Sequence, residues 1–155
     1  MLTIAFGTET GNTELLADSV KAHFQKHNTP LTVLNLDDVQ WASLKAGHPL
    51  LVLTSTWGDG EPPSNAYSFA QRLENEHGQP LVGVPYAVFA MGDTAYPEFC
   101  KFGQDVDEGL ERLGGQRLLP VVMADVDYDA PFAQWLALVS DAVLALPTVS
   151  EVAHA

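Results

Sequence analysis

The chain has 155 residues, of which 46% are hydrophobic, and its 20 acidic side chains outnumber its 7 Lys and Arg side chains, giving a formal net charge of -13. This length and hydrophobic fraction exclude a disordered acidic tail and predict a globular protein with a single core. The charge argues against nucleic acid or an anionic membrane as a partner, because each phosphate contact would begin with repulsion, and it favours a protein with a basic surface.

Apolar segments alternate with segments of helical periodicity along the chain. This alternation predicts βαβ units and hence an α/β protein with a doubly wound, five-stranded parallel sheet and helices on both faces. In chain order the predicted elements are a strand at 2–6, a helix at 13–26 capped by Thr10 or Asn12, a strand at 31–36, a weak helical turn at 39–46, a strand at 50–54, a helix at 65–76, a strand at 86–91, a helix at 102–113, a strand at 117–123 and a helix at 132–146. Pro120 lies inside the last strand, which predicts a sheet edge or a bulge there.

One domain is predicted over residues 1–147, followed by a short tail at 148–155. The sequence contains neither an apolar run of membrane-spanning length nor a secretory signal. Its single cysteine, Cys100, cannot form an intrachain disulfide. We therefore expect a soluble cytoplasmic monomer.

Three loops follow the carboxyl ends of predicted strands, at residues 7–12, 55–64 and 92–99. We call them the first, second and third loops. Ligands of doubly wound sheets bind beyond these strand ends, so the three loops are the predicted binding region.

The first loop combines small and hydroxyl-bearing residues but has no lysine or arginine. Unpaired backbone N–H groups and the positive end of the following helix can hold a phosphate without a charged side chain. An ordinary capped turn remains the alternative. Known phosphate motifs do not match, because Gly7 and Gly11 are separated by three residues and no lysine follows them.

No metal site is predicted either, since His23 and His27 have no third ligand in sequence.

The second and third loops each place a large aromatic side chain, Trp57 and Tyr96, where solvent exposure is expected. Leaving either ring in water forfeits roughly 1.5 to 3 kcal/mol of burial, so a flat ligand between them is favoured. The pattern predicts a planar ring at Trp57 and Tyr96 whose phosphate lies at the first loop.

The three loops, taken in order, resemble those of the short-chain flavodoxins. The resemblance covers nearly the whole chain and extends to MioC-type flavodoxins and, through residues 63–66 and the segment RLGGQRLLP, to the FMN domains of diflavin reductases. It implies non-covalently bound FMN, with Asp93, Met91 and Cys100 near the pyrimidine edge of the flavin and with a Gly58–Asp59 peptide that reorients on one-electron reduction. The residues it assigns to cofactor binding are Thr8, Glu9, Thr10, Gly11, Asn12, Thr13, Ser55, Thr56, Trp57, Gly58, Asp59, Met91, Gly92, Asp93, Tyr96, Phe99 and Cys100.

Acidic residues are frequent around the expected ring end of the site. At about 8 Å and an effective dielectric near 20, each such charge opposes an added electron by about 2 kcal/mol before screening. This favours a low-potential one-electron carrier that docks basic partners. The residues concerned are Asp59, Glu61, Asp93, Glu98, Asp125 and Asp127.

Three functions remain open at this point. The first is an electron carrier supplied by a separate NAD(P)H-dependent flavodoxin reductase, favoured because the sequence has no room for a nicotinamide-binding domain. The second is an FMN enzyme such as an NAD(P)H:quinone reductase, or the FMN domain of a diflavin reductase system. The third is an interaction module without flavin on the same scaffold.

Overall fold

The computed structural model describes residues 1–8, 11–56 and 60–147. Within them, strands and helices alternate as predicted. The elements are β1 (Leu2–Gly7), α1 (Asn12–Gln25), β2 (Leu31–Asn35), β3 (Leu50–Ser55), α2 (Tyr67–Asn75), β4 (Pro85–Met91), α3 (Lys101–Arg112), β5 (Gln116–Arg117), β6 (Val122–Ala124) and α4 (Asp129–Leu144). No helix among the described residues is long and apolar enough to cross a membrane.

The strands form one parallel sheet in the order β2-β1-β3-β4-β5, and β6 also pairs with β4. The predicted fifth strand is therefore two short strands, both paired with β4. Pro120 lies in the gap between them, because proline has no N–H to donate to a sheet ladder. The doubly wound prediction is confirmed, and its fifth strand is corrected to an interrupted one.

Alternating side chains of the strands supply two cores, one on each face of the sheet. Phe89, Leu51 and Leu53 face α1 and α4, where Phe89 packs against Trp135 at 5.5 Å between ring centroids. Val52 and Val88, offset by one position, lie in the core shared with α2 and α3. Because the central strands are buried on both faces, they read as continuous apolar runs in the sequence.

The connection before α2 differs from its prediction. A helix was predicted to begin at Asn65, but a 3-10 turn covers Ser64–Ala66 and the α-helix begins at Tyr67. The amide N–H of Phe69, in the first turn of α2, donates to the Asp37 carboxylate at 2.9 Å. Arg72 donates to the main-chain carbonyls of Asp37 and Val39. These bonds fix α2 to the end of β2.

Candidate functional site

The parallel register brings the predicted loops to one edge of the sheet. Gly7 pairs with Thr54, and Ser55 pairs with Met91. Beyond the ladder, Thr56 N–H donates to the Met91 carbonyl at 3.0 Å and Gly92 N–H donates to the Ala124 carbonyl at 2.9 Å. The ends of four strands therefore meet where the sequence predicts a ligand.

In the described part of the first loop, uncharged groups hold the chain. Gly11 N–H donates to Thr8 Oγ1 at 2.8 Å, and the buried Thr13 hydroxyl donates to the Gly7 carbonyl at 2.7 Å. Gly11 has φ +89° and is the N-cap of α1. The predictions of Thr10 or Asn12 as the cap are wrong, because a left-handed turn is needed here and glycine adopts it without strain. Glu9 and Thr10 lie outside the described residues.

The beginning of α1 has the features of an anion site. Gly11 provides no side-chain cap to the first-turn amides, and a Cβ built on Gly11 would meet nothing within 4 Å. No side chain of the described residues caps the first-turn N–H groups, so these groups remain donors at the positive end of the helix. The exposed Asn12 and the hydroxyl of Thr8 lie beside these groups. This donor set fits a phosphate ester.

The described residues of the second loop tie it to α3. Thr56 Oγ1 accepts a hydrogen bond from the Phe102 N–H at 3.0 Å, and both Ser55 and Thr56 are partly exposed. Trp57, Gly58 and Asp59 lie outside the described residues, so their predicted contacts with a flavin stay predictions. Thr56 thus places the start of this loop against α3.

The third loop is braced by carboxylates. Asp93 Oδ1 accepts from Ala95 N–H at 2.8 Å, and its carbonyl accepts from Tyr96 N–H at 3.0 Å. Asp125, at the end of β6, accepts from both the N–H and the hydroxyl of Thr94, at 3.1 and 2.5 Å. These bonds hold the pKa of Asp125 below its ordinary value. Asp125 therefore contacts this loop directly.

Tyr96 lies on the outside of the third loop and is 52% exposed, which suits a ring that covers a flat ligand. Phe99 is partly buried, and together with Gly92 and Thr56 it lines a small cleft under Tyr96. A Cβ on Gly92 would stand 2.9 Å from the main-chain nitrogen of Cys100, so only glycine allows this close packing.

Cys100 lines this cleft, and Met91 is buried at the end of β4. Met91 is 7% exposed and Cys100 is fully buried, with the Cys100 thiol 3.6 Å from the Ala90 carbonyl. Burial raises the pKa of the Cys100 thiol to about 12. A protonated, inaccessible thiol is a packing group and a poor nucleophile. Both side chains are buried, and their predicted place near the pyrimidine edge of a flavin stays a prediction.

The described residues also line two larger grooves outside this cleft. One, of about 540 Å³, runs between α2 and α3, and the other, of about 590 Å³, lies at the opposite edge of the sheet near Leu2 and His27. Volume alone does not mark a binding site. Neither groove includes the α1 N-terminus, so neither supplies the anion-binding donors of the first loop.

Comparison with known proteins identifies the family. The Flavodoxin family model matches residues 4–135. The chain is 38% identical over 135 residues to the sulfite reductase [NADPH] flavoprotein alpha-component of Bacillus subtilis, which is 87% of this chain but 22% of that protein. The corresponding Salmonella typhi protein is 36% identical over 140 residues, 90% of this chain and 23% of its own length. The chain thus spans less than a quarter of these two relatives.

Solved structures give the same result. The flavodoxin of the Streptococcus pneumoniae strain TIGR4 superposes with a TM-score of 0.78 at 30% identity, covering 93% of this chain and 97% of that one. Oxidised Flavodoxin 1 from Bacillus cereus superposes with a TM-score of 0.77 at 23% identity, covering 94% and 99% of the two chains. The chain belongs to the flavodoxin family, and FMN is the cofactor of that family.

Two residues of the site were missed by the sequence analysis. Asn65 Oδ1 accepts from the Thr8 N–H, and Asn65 in turn donates to Asn35. These partners are 57 and 30 residues apart in sequence. Only the resemblance of residues 63–66 to diflavin reductases pointed to this segment, and it gave no role for the asparagine.

Proposed function

We propose that the protein is an FMN-binding one-electron carrier that receives electrons from a NAD(P)H-dependent flavodoxin reductase and delivers them to acceptor proteins with basic surfaces. One observation carries the proposal: the N-terminus of α1, whose first-turn amides are capped by no described side chain, and the exposed ring of Tyr96 lie at the same sheet edge. Bound FMN would supply the redox chemistry, since it can take up and release single electrons.

The residues at the phosphate end would bind by neutral donors. The first-turn amides of α1 supply N–H groups, and the helix dipole adds positive potential without a cation. Thr8, Gly11 and Thr13 keep the loop in the shape that exposes those amides. The protein would therefore bind the phosphate strongly while its overall charge stays strongly negative.

The residues at the ring end would set the redox potential and the partner. Tyr96 would cover one face of the flavin, and Trp57 is proposed for the other. Asp93 and Asp125 lie in or against the third loop, so an electron added at this end meets negative charge. The same carboxylates would attract a basic acceptor and speed its encounter.

The curated relatives favour a second candidate. Because the chain is 38% identical to part of a sulfite reductase [NADPH] flavoprotein component, it could serve as the electron-transfer domain of such a reductase system. The two candidates share the site and the cofactor and differ in whether donor and acceptor are separate proteins.

The first test is reconstitution of the purified protein with FMN and, in parallel, with riboflavin. We expect FMN fluorescence to be quenched on binding, and FMN to bind on the order of a hundredfold more tightly than riboflavin, because several amide bonds to a charged phosphate are lost with riboflavin. Equal affinity for the two would contradict the assignment of the first loop.

A second measurement separates the carrier from an enzyme. The FMN-loaded protein is mixed with NADPH alone, and then with NADPH and a flavodoxin reductase, and its visible spectrum is followed without oxygen. The carrier should be reduced only when the reductase is present. Rapid reduction by NADPH alone would instead support the quinone-reductase alternative.

A further inference from the structure

We propose that Asn35 and Asn65 form a hydrogen-bonded relay, here called the asparagine relay, that positions the first loop for the phosphate of FMN. Thr8 N–H donates to Asn65 Oδ1 at 2.8 Å, and Asn65 Nδ2 donates to Asn35 Oδ1 at 2.9 Å. The inference rests on the proposed function, and it assigns roles to two residues that need not touch the cofactor.

The direction of each bond follows from chemistry. A main-chain N–H can only donate, so Thr8 requires the carbonyl oxygen of the Asn65 amide. The Asn65 amino group then faces Asn35, which must present its own oxygen. Asparagine is needed at position 65 because the side chain must accept at one end and donate at the other. An aspartate there could accept but could not donate.

The backbone around Asn65 is built to bring it to Thr8. Asn65 lies in the 3-10 turn Ser64–Ala66 with φ -86° and ψ 17°, and Ala66 N–H closes this turn on the Pro63 carbonyl at 2.9 Å. The turn packs closely on the end of β1, where a Cβ on Gly7 would lie 3.3 Å from Ala66 Cβ. Glycine at position 7 thus allows the approach that puts Asn65 beside Thr8.

The relay acts at one end of the loop, and Gly11 acts at the other. Asn65 holds the main chain of Thr8, while the hydroxyl of Thr8 accepts from Gly11 N–H at 2.8 Å. Thr8 is therefore fixed through both its backbone and its side chain, and Gly11 is fixed next to the first turn of α1. Ordering a binding loop before the ligand arrives lowers the entropy cost of binding. The relay contains no charged group, so it orders the loop without repelling a phosphate.

The test compares the affinities of Asn65→Ala and Asn35→Ala for FMN and for riboflavin by fluorescence quenching. Loss of one hydrogen bond, such as the partly buried bond from Thr8 to Asn65, corresponds to about a fivefold change in an equilibrium constant. We expect Asn65→Ala to raise the Kd for FMN about fivefold and Asn35→Ala to raise it less, since the Thr8 bond survives. The Kd for riboflavin should stay unchanged, because riboflavin has no phosphate. Asn65→Asp should weaken FMN binding more than Asn65→Ala, because it also adds a negative charge.

Asn75→Ala is the matched control, since Asn75 is an exposed asparagine at the end of α2. It should leave both affinities unchanged. Equal losses for FMN and riboflavin in the relay variants would show a merely structural role, and unchanged FMN affinity would also overturn the relay. If Asn65→Ala does not fold, Asn35→Ala, at an exposed position, provides the test. A loss of affinity for FMN with unchanged affinity for riboflavin would then support the relay. Wild-type protein that binds no FMN would refute the proposed function before any variant is compared.

Discussion

The first and third loops leave the same edge of the sheet, but groups of different electrical character hold them. In the first loop the described hydrogen bonds join amides, hydroxyls and carbonyls, with Thr8 and Asn65 at the centre. In the third loop two carboxylates, Asp93 and Asp125, accept the main-chain N–H groups. Of these two loops, the described part of the first offers uncharged donors that suit an anionic phosphate, and the third contains or contacts the carboxylates of Asp93 and Asp125. Under the proposed function, this difference would let an acidic protein bind FMN through uncharged donors while carboxylates near the flavin ring oppose its reduction.

The two loops also differ in their access to water. The largest effect that we predict from this difference is on the rate of alkylation of Cys100, next to the third loop. In the first loop, a Cβ on Gly11 would meet no described atom within 4 Å. Next to the third loop, the thiol of Cys100 is fully buried. Burial raises the pKa of that thiol from 9.0 to about 12, so at pH 8 the folded protein holds about a thousandfold less thiolate. Alkylation of Cys100 by iodoacetamide at pH 8 should be slower in the native protein by about that factor than in urea.

The sign of the accompanying stability change can also be stated. Because the folded pKa of Cys100 lies above the unfolded one, its contribution to the free energy of unfolding is full below the unfolded pKa and is lost as the pH rises toward about 12. Cys100→Ala should remove this alkaline loss. Native alkylation as fast as in urea would show that the third loop opens readily and would remove the contrast with the first.

The second prediction adds a negative charge to the first loop at Thr8. Thr8→Asp keeps an oxygen that can accept from Gly11 N–H but places a carboxylate beside the phosphate. Like charges brought together cost several kcal/mol, so FMN affinity should fall about a hundredfold and riboflavin affinity should change little. Titration of both ligands, followed by fluorescence, measures this difference.

Thr8→Asn is the neutral control for that substitution, because it also offers an oxygen to Gly11. It should keep FMN affinity within a few-fold of wild type. A similar loss in Thr8→Asn and Thr8→Asp would mean that shape, not charge, governs the first loop.

The sequence alone could predict the sheet and the positions of the three loops, but not the hydrogen bonds that fix the first and third loops. Buried runs such as β3 and β4 carry their own apolar signal, and helical spacing along α1 is equally local, so the sheet edge and its three loops could be placed. The bonds from Asn65 to Thr8 and from Thr94 to Asp125 join positions 57 and 31 residues apart, and no local pattern contains them. The cap at Gly11 was missed because polar neighbours are stronger caps in general.

The fifth strand was predicted with the wrong continuity for a different reason. Its residues are apolar on both sides of Pro120. An apolar pattern in the sequence indicates which side chains are buried, but it does not show which residues form the hydrogen bonds of the sheet. Whether both halves pair with the neighbouring strand depends on β4, which reaches past the gap to Gln116 at one end and to Ala124 at the other.

The third prediction removes a charge from the acidic loop. Asp93→Asn keeps an oxygen for the Ala95 N–H while it deletes one negative charge near the proposed ring. The potential for the second electron should rise by an amount on the order of 20–50 mV after screening by solvent. Asp141→Asn, at an exposed position of α4, is the control and should leave the potential unchanged. Equal shifts in both variants would indicate a general effect of net charge.

The smallest expected effect is a pH dependence that is larger at Thr94 in the third loop than at Gly11 in the first. The hydrogen bonds from Thr94 hold the pKa of Asp125 below its ordinary value of 3.8. For a lowered carboxyl pKa, the contribution to the free energy of unfolding is present above the unfolded pKa and is lost as the pH falls through the folded one. In an NMR titration the Thr94 amide should therefore shift with a midpoint below 3.8, and Asp125→Asn should abolish that shift. The Gly11 amide, whose acceptor is the Thr8 hydroxyl, should move far less, and a shift of equal size at Gly11 would show that this amide also responds to a titrating carboxylate.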